Sequence, residues 1–329
     1  MKTYGARTRV ALACSTLALA SCEAILGLHD HVLADAGATD ANAIDAALDA
    51  TTCDGDFCAC HPHDFCDDFD PYTSVDQLQN HWQVPGFSSS TIQLGGSLTL
   101  DNGTSVVPPS PPNALLSTVL LPNELQGAGF VMSEMDASAD AIVGVHLQVR
   151  FRAVSIEPTD GAPPILDSGV ALFGAVLAVV NATTKNGVGI AMSEQGAYLG
   201  YALDVLAVGA RLVQGKQFLE LNPDTLTEYT ELDLIVAKRS SKALPTVDCT
   251  PGPVLTDIDG GAPDAALPAD PVVVVVETSV TAPACEILSA ELVEPDWLAN
   301  PIFMVGSVVK GQGDFSVDYD NFTLDFVTE

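Results

Sequence analysis

From about residue 64 onward, the sequence is a succession of short strand-like runs separated by turn residues, and helical periodicity is scarce. The clearest runs are Thr91–Leu94, Ser97–Leu100, Ala114–Leu120, Ala141–Ser155, Gly169–Val180, Gly187–Met192, Ala197–Asp204, Glu228–Lys238, Val272–Val280, Glu286–Val293, Ile302–Val309 and Phe315–Phe326. Parallel strands need long crossover connections, which are usually helical. The spacing therefore predicts an all-β fold built as an antiparallel sandwich.

Periodicity within the runs predicts which side chains face the core. In "VHLQVRFRAV", apolar and polar residues alternate, so its two faces differ. The inward set is Val145, Leu147, Val149 and Phe151, and the outward set is His146, Gln148, Arg150 and Arg152. The run "ALFGAVLAVV" is apolar throughout, which predicts a central strand buried on both faces. In the last run the apolar phase slips by one residue at Asp320–Asn321, which predicts a β-bulge there.

Residues 1–21 have the features of a secretory signal peptide. Lys2, Arg7 and Arg9 are followed by an apolar run over residues 10–20 that is too short to span a membrane. The end of this run, "LALASC", resembles the bacterial lipobox, in which cleavage precedes a cysteine that is then acylated. This resemblance implies that Cys22 carries the lipid. Glu23 is not the aspartate that favours inner-membrane retention in similar lipoproteins, so we expect an outer-membrane anchor, on either its periplasmic or its cell-surface side.

Charge and composition separate a tether from the folded part. The chain has 12 basic and 43 acidic residues, a net charge of −31, which opposes nucleic-acid binding. Residues 29–52 consist mostly of Ala and Asp without an aromatic residue. We therefore interpret residues 22–52 as the lipidated cysteine and a flexible acidic tether. A short helix over Ala43–Ala50 is the alternative.

The cysteines allow two interpretations. Residues 53–66, "CDGDFCACHPHDFC", contain four cysteines and two histidines: Cys53, Cys58, Cys60, Cys66, His61 and His63. In a cytosolic chain this pattern would indicate zinc, but in an exported chain it indicates disulfides. Cys14 leaves with the signal peptide and Cys22 takes the lipid, so six cysteines remain. We predict a disulfide-bonded collar at residues 53–66, with its pairing left open. A further disulfide, Cys249–Cys285, is predicted across a Pro/Gly/Asp-rich surface insertion at about residues 250–270.

The order of several short motifs resembles a known family. "DDFD" at Asp67–Asp70, Trp82 in "HWQV", "GGSLTLDNG" at Gly95–Gly103 and "GDFSVDYDNFTLDF" at Gly313–Phe326 resemble the start and end of concanavalin A-like lectin/glucanase jelly rolls. The resemblance covers about residues 64–327, and the predicted jelly-roll domain covers residues 64–329. It implies a jelly-roll β-sandwich and a protein that binds or cleaves polysaccharide. The layout of lipobox, tether, cysteine cluster and jelly roll is similar to predicted lipoproteins of myxobacteria.

The catalytic pattern of the family is incomplete in this chain. Glucanases of this fold carry E-x-D-x-x-E on one strand, and the nearest match is "ELDLIV". Glu231 and Asp233 are present, but Val236 stands where the last glutamate is needed. We therefore predict no catalytic residue and interpret Glu231 and Asp233 as a solvated strand face. No other hydrolase or phosphate-binding motif is present.

Binding residues are sought among aromatic and acidic side chains. Trp297, Tyr198, Tyr201 and Tyr229 are candidates for stacking on sugar rings, whereas Trp82 is expected to lie in the core. Two acidic groups near the first and last strands could converge on a structural calcium ion, which prefers oxygen ligands. Its candidate ligands are Asp68, Asp70, Asp318 and Asp320. No other cofactor is expected.

The sequence thus favours a non-catalytic, envelope-anchored binding module for a polysaccharide or a protein partner. A structural envelope protein without a ligand is the alternative. A glycoside hydrolase is the least favoured hypothesis.

Overall fold

The structure is a computed structural model that describes most of the domain beyond the tether. The described residues are 57–60, 63–82, 91–93, 95–103, 106–122, 126–135, 142–162, 170–203, 211–220, 228–242, 244–245, 249–251, 271–288, 298 and 301–328. The predicted signal peptide, the tether with Cys22, and most of the insertion lie outside them. Among the described residues, no helix has the length and apolar character needed to cross a membrane.

The larger of two sheets has nine strands. These are β1 (Phe65–Asp67), β3 (Gly96–Asp101), β4 (Ala114–Leu121), β6 (Ile142–Pro158), β11 (Thr230–Lys238), β12 (Thr250–Pro251), β13 (Val272–Thr278), β14 (Thr281–Ile287) and β16 (Gly313–Thr328). Their order is β12-β14-β13-β11-β6-β16-β4-β3, and β1 pairs with β16. All neighbours are antiparallel except the short β12–β14 pair. The long strands β6 and β16 therefore form the centre of this sheet.

The smaller sheet has seven strands. These are β2 (Thr91–Gln93), β5 (Gln126–Glu134), β7 (Leu172–Asn181), β8 (Gly187–Ser193), β9 (Gly196–Leu203), β10 (Arg211–Glu220) and β15 (Pro301–Gly311). Their order is β10-β9-β8-β7-β15-β5-β2. The two described helical segments are short: α1 (Phe57–Cys60) and a 3-10 helix (Val75–Asn80). The predicted fold class, an all-β antiparallel jelly-roll sandwich, is confirmed.

The main core lies between the two sheets. The inward set predicted for β6, from Val145 to Phe151, is buried there against apolar side chains of β7, β8 and β15. Trp82 is buried in the same cluster, as predicted. Strand β7 is buried along both faces, because a second apolar cluster lies on the outer side of the smaller sheet.

Five strands differ from the predicted runs. The short strands β1 and β12 are missing from them. β5 and β10 are also missing, and both contain internal glycine residues that weaken a strand pattern. β14 was predicted over Glu286–Val293 but runs from Thr281 to Ile287. Its Pro283 resembles a turn residue in the sequence, yet it lies where the register between β13 and β14 shifts. A proline is tolerated at such an irregularity because the missing N–H is not needed for the ladder.

The predicted bulge in β16 is confirmed. Asp320 lies opposite Arg150 and Thr323 lies opposite Gln148, so β16 has one extra residue there. Asn321 occupies the bulge with a φ of 51°. The extra residue inverts the strand's alternation, and apolar side chains on both sides of the bulge reach the core.

The start of the domain is fastened to β16. Cys58 and Cys66 form a disulfide that joins α1 to β1, and β1 pairs with β16 in the middle of the sheet. The predicted collar thus has one observed pair, while Cys53 and the side chain of Cys60 lie outside the described part. His63 Nδ1 is 2.7 Å from Asp325 Oδ2 on β16. Cys58 and Cys66, two ligands of the zinc alternative, are joined in the disulfide, and His61 lies outside the described residues.

Asp67, at the end of β1, accepts three hydrogen bonds that hold the start of the domain together. Its carboxylate accepts hydrogen bonds from the backbone N–H of Phe69 at 2.8 Å, the Tyr72 hydroxyl at 2.6 Å and Trp82 Nε1 at 2.7 Å. Burial raises the pKa of Asp67, and these hydrogen bonds oppose the rise. The motif "DDFD" therefore has a structural role at its first aspartate.

The second predicted disulfide, Cys249–Cys285, is present. It joins the residue before β12 to β14, and β12 pairs with the end of the same strand. The insertion begins directly after β12, so the disulfide closes its base. Cys249 and Cys285 also pack in a small apolar cluster on the outer side of the larger sheet.

Candidate binding face on the larger sheet

Three central strands of the larger sheet carry polar side chains on the face that points away from the core. On β6 these side chains belong to the predicted outward set, His146, Gln148, Arg150 and Arg152. Strands β11 and β16 pair with β6 on either side. The register places Gln148 directly opposite Asp233 and Arg150 directly opposite Glu231. We call His146, Gln148, Arg150, Glu231 and Asp233 the polar ladder.

The members of the polar ladder bind one another across the strands. Asp233 Oδ1 accepts a hydrogen bond from Gln148 Nε2 at 2.5 Å and lies 3.1 Å from His146 Nε2. The Arg150 guanidinium is 3.5 Å from Glu231 Oε2. Glu231 and Asp233, which were predicted to lie on a solvated strand face, therefore also interact with side chains of β6.

The polar ladder remains open to solvent. The side chains of Arg150 and Glu231 are 43% and 47% exposed, and those of His146 and Asp233 are 30% and 26% exposed. Exposed ion pairs of this kind contribute little to stability. Their donors and acceptors are thus accessible to a ligand at little cost to the fold.

At one end of the same face the polar side chains are buried. Arg152 continues the outward series of β6, but its side chain is only 6% exposed, and Asp318 beside it on β16 is 0% exposed. The Arg152 guanidinium binds Asp318, lies 3.1 Å from Asp101 Oδ2, and lies 5.4 Å from the centre of the Tyr229 ring. We call these four residues the buried ionic cluster.

Burial shifts the acidity of two carboxyl groups at this end. Desolvation raises the pKa of Asp318 to about 6, and the positive charge of Arg152 opposes the rise. Desolvation also raises the pKa of Asp320 to about 7, against hydrogen bonds from the backbone N–H and hydroxyl of Ser110 at 2.8 and 2.9 Å. Both groups therefore titrate near neutral pH rather than near pH 4.

The predicted calcium ligands have hydrogen-bond or ionic partners within the chain. The expected convergence of the first and last strands does occur, because β1 pairs with β16. However, Asp318 binds Arg152, Asp320 binds Ser110, and Asp70 accepts a hydrogen bond from the backbone N–H of Asn113. Within the part of the chain that the structure describes, no three metal-ligating side chains are grouped closely enough to hold an ion.

Of the predicted aromatic residues, Tyr229 lies beside Arg152 at one end of this face, whereas Tyr198 and Tyr201 belong to the smaller sheet. Tyr198 is on β9 in the smaller sheet, between two core-facing residues, so its half-buried ring points to the outer side of that sheet. Its ring centre is 6.1 Å from that of Phe173. The backbone of Tyr201 belongs to the same strand, but its side chain, like all of Trp297, lies outside the described part.

The structure places the residues of the incomplete glucanase pattern on the two opposite faces of β11. Glu231 and Asp233 point outward from β11, whereas Val236 is buried in the core between the sheets. Alternation places position 236 on the opposite face from the other two.

Sequence inspection alone missed the polar ladder. Alternation identified the outward residues of β6 and of β11, but each set was interpreted separately as surface. The available signal was that both strands carry polar side chains on one phase, as neighbouring strands of an antiparallel sheet with one solvated face do. Their pairing, which brings the two sets together, depends on contacts between residues more than 80 positions apart.

Comparisons with known proteins give similarities of structure alone. No protein-family model and no curated protein matches the sequence. An endo-β-1,4-glucuronan lyase from the fungus Trichoderma reesei matches with a TM-score of 0.44 and 11% identity, over 80% of this chain and 95% of its own. A marine PL-14 alginate lyase from Aplysia kurodai matches with a TM-score of 0.41 and 10% identity, over 77% and 94%. The cellulose-induced protein Cip1 matches with a TM-score of 0.37 and 9% identity, over 79% and 96%.

Proposed function

We propose that this chain is a lipid-anchored envelope protein whose β-sandwich is a non-catalytic module that binds a polysaccharide on the polar ladder. The observation that carries the proposal is the set of partly exposed hydrogen-bonding side chains on two adjacent central strands. These strands are held from both sides by the sheet, so the ladder is a rigid surface. Rigid polar groups lose little conformational entropy when they bind a ligand.

The chemistry of the ladder suits hydroxyl groups. A sugar hydroxyl both donates and accepts hydrogen bonds, and the ladder offers both partners. Gln148, Arg150 and His146 can donate, while Asp233 and Glu231 accept. Alternate residues of a strand are about 6.6 Å apart and neighbouring strands about 4.8 Å apart, so the ladder presents a regular grid to an extended polymer.

The charge balance favours a neutral polymer over a uronic-acid polymer. The net charge of the chain is −31, which repels polyanions. Within the ladder, the positive charge of Arg150 is already matched by Glu231 at 3.5 Å. A carboxylate-bearing sugar would have to displace Glu231 from Arg150, whereas a neutral hydroxyl group can form hydrogen bonds with both residues.

The anchor is the second part of the proposal. Acylation of Cys22 would attach the chain to the outer membrane through two or more acyl chains, each CH₂ contributing roughly 0.8 kcal/mol. The support is the apolar run followed by "LASC" at residues 19–22. Mass spectrometry of the mature N-terminus tests it. The expected product begins with an acylated Cys22, and an unmodified Cys22 contradicts the anchor.

Binding is tested by affinity electrophoresis of the purified protein in gels that contain neutral or uronic-acid polysaccharides. We expect retardation by at least one neutral polymer. The variant Gln148→Ala/Asp233→Asn removes the central pair of the ladder and should weaken binding about tenfold, since each hydrogen bond contributes about 0.5–1.5 kcal/mol. A matched control is Lys238→Ala, which changes an exposed residue at the end of β11.

The alternatives give different results in the same assay. A structural envelope protein without a ligand shows no retardation in any gel. A hydrolase releases reducing ends from the polymer that it binds. Retardation that the ladder variant leaves unchanged refutes the assignment of the site, while retention by uronic-acid polymers alone refutes the neutral ligand.

A further inference from the structure

The two disulfides lie on the outer surface of the larger sheet, on opposite sides of the polar ladder. On β1, Phe65 packs against the core, so the next side chain, Cys66, points outward. On β14, Ala284 packs against the core, and the next side chain, Cys285, belongs to the outer apolar cluster. Because β1 pairs with β16 and β14 pairs with β13, the two strands of the ladder, β6 and β11, lie between the two disulfides.

The first disulfide covers β16 on one side of the ladder. Thr323 and Asp320 are on the outer surface of β16, yet both side chains are fully buried. Cys66 lies opposite Thr323 and is joined to Cys58 of α1. Ser110, in the loop between β3 and β4, donates two hydrogen bonds to Asp320. We call α1, Cys66 and Ser110 the first wall.

The second disulfide covers β13 on the other side of the ladder. Val273 and Val275 point outward from β13, yet both side chains are fully buried. They pack in one apolar cluster with Leu244 and Cys249, which follow β11 in the chain. Cys249 is joined to Cys285 of β14. We call Leu244, Cys249 and Cys285 the second wall.

Between the two walls, the polar ladder is partly exposed and ends at the buried ionic cluster. Arg152 is the next outward residue of β6 after Arg150, and it is buried. Tyr229 is the next outward residue of β11, and its ring lies over the Arg152 guanidinium. From His146 to Arg150 the ladder extends over four residues of β6, roughly 13 Å along the strand. The open floor is therefore two strands wide and short.

We propose that the polar ladder is the floor of a cleft that binds a single soluble polysaccharide chain lying along β6 and β11, and that excludes crystalline polymer. This inference rests on the proposed function. A crystalline polymer presents many packed chains in one flat face, which needs a flat protein surface wider than one chain. Neighbouring strands are only about 4.8 Å apart, and both flanks of the ladder are covered. Only a separate chain can therefore reach Gln148 and Asp233.

The two disulfides make the cleft rigid before a ligand arrives. Cys66, Thr323 and Gln148 lie side by side on β1, β16 and β6, so the first disulfide is in line with the centre of the ladder. Groups that are already ordered lose little conformational entropy on binding. The short floor also limits the length of the bound segment. Affinity should therefore stop rising once an oligosaccharide fills the ladder.

Pairs of soluble and crystalline polymers test the cleft. The probes are hydroxyethyl cellulose with microcrystalline cellulose, glycol chitin with crystalline chitin, and soluble with crystalline mannan. We expect a gel that contains at least one soluble polymer to retard the purified, disulfide-bonded protein. The matching crystalline polymer should leave the protein in the supernatant. In a titration with oligosaccharides of the same polymer, the affinity should rise with length and then stay constant within about twofold.

A cysteine variant tests the wall directly. Cys58→Ala/Cys66→Ala should weaken binding of the soluble polymer about threefold to tenfold, because the released wall must become ordered when the chain binds. Lys238→Ala, which changes an exposed residue at the end of β11, is the matched control and should leave the affinity unchanged. Melting curves establish the temperature below which each variant is folded, and binding is measured there.

The outcomes separate the cleft from the proposed function. No retardation by any polymer overturns both. Retardation that Gln148→Ala/Asp233→Asn abolishes keeps the proposed function in place. In that case, the cleft is overturned by equal binding to the crystalline partner, by an affinity that continues to rise with chain length, or by a cysteine variant that binds as tightly as the unmodified protein.

Discussion

Replacing Arg152 by methionine removes the positive charge of the buried ionic cluster while keeping a side chain of similar length. Asp318, which is 0% exposed, would lose its charged partner, and Asp101 would lose a contact of 3.1 Å. Breaking a buried ion pair by removing one partner typically costs about 3–5 kcal/mol, because the remaining charge stays buried. We expect Arg152→Met to lower the free energy of unfolding by that amount at about pH 8, where Asp318 is ionised.

The loss of unfolding free energy caused by Arg152→Met should depend on pH. The pKa of Asp318 is raised to about 6 in the folded protein, so the native state binds a proton more tightly than the unfolded chain does. The stabilisation by that proton is complete below about pH 4 and is lost as the pH rises through about 6. Without Arg152 the pKa of Asp318 rises further. At about pH 5 the carboxyl group is neutral, so the deficit of the variant should fall to about 1 kcal/mol, the contribution of ordinary hydrogen bonds.

Urea unfolding at the two pH values, followed by the fluorescence of the buried Trp82, measures this difference. Arg150→Met is the matched control, since its ion pair is 43% and 47% exposed and should contribute less than about 1 kcal/mol at either pH. Adding Asp318→Asn to Arg152→Met should recover most of the stability at about pH 8. A deficit that is equal at both pH values, or as large in Arg150→Met, would refute the argument from the buried charge.

Further predictions concern the buried carboxyl groups of β16, the hydrogen bonds of Asp67, the disulfide Cys249–Cys285 and the packing around Gly174. The unmodified protein should melt at a higher temperature at about pH 5 than at about pH 8, because both buried carboxyl groups of β16 have raised pKa values; the opposite order contradicts this. Asp67→Ala leaves three buried donors without their acceptor and should cost about 3 kcal/mol or more in urea unfolding, against less than about 1 kcal/mol if the site is solvated. Cys249→Ala/Cys285→Ala opens a loop of 36 residues and should cost about 4 kcal/mol, with an unchanged melting temperature as the contrary result. Gly174→Ala places a methyl group 2.6 Å from the ring of Phe315 and should cost about 1–3 kcal/mol, unless the ring moves freely.

Local patterns in the sequence predicted the fold class and several of its details. Alternation in β6, the unbroken apolar run of β7 and the phase slip in β16 each express the geometry of one strand, so no knowledge of its neighbours is needed. The disulfide Cys249–Cys285 was predicted from the resemblance of residues 1–22 to a lipoprotein signal and from the even number of cysteines that would remain. Among the strands that were missed or displaced, β5, β10 and β14 contain Gly or Pro residues whose local preference is overridden by pairing within the sheet.

The candidate site could not be predicted in the same way. Alternation states which residues of a strand share a face, but it does not state which strand lies beside it. That His146 and Gln148 meet Asp233, and that Arg152 is covered while Arg150 is open, follows from the register of β11, β6 and β16. Register is set by packing the whole core, which joins residues far apart in sequence. The chain's local chemistry therefore specifies its strands, whereas only the pairing of those strands turns separate polar residues into one surface.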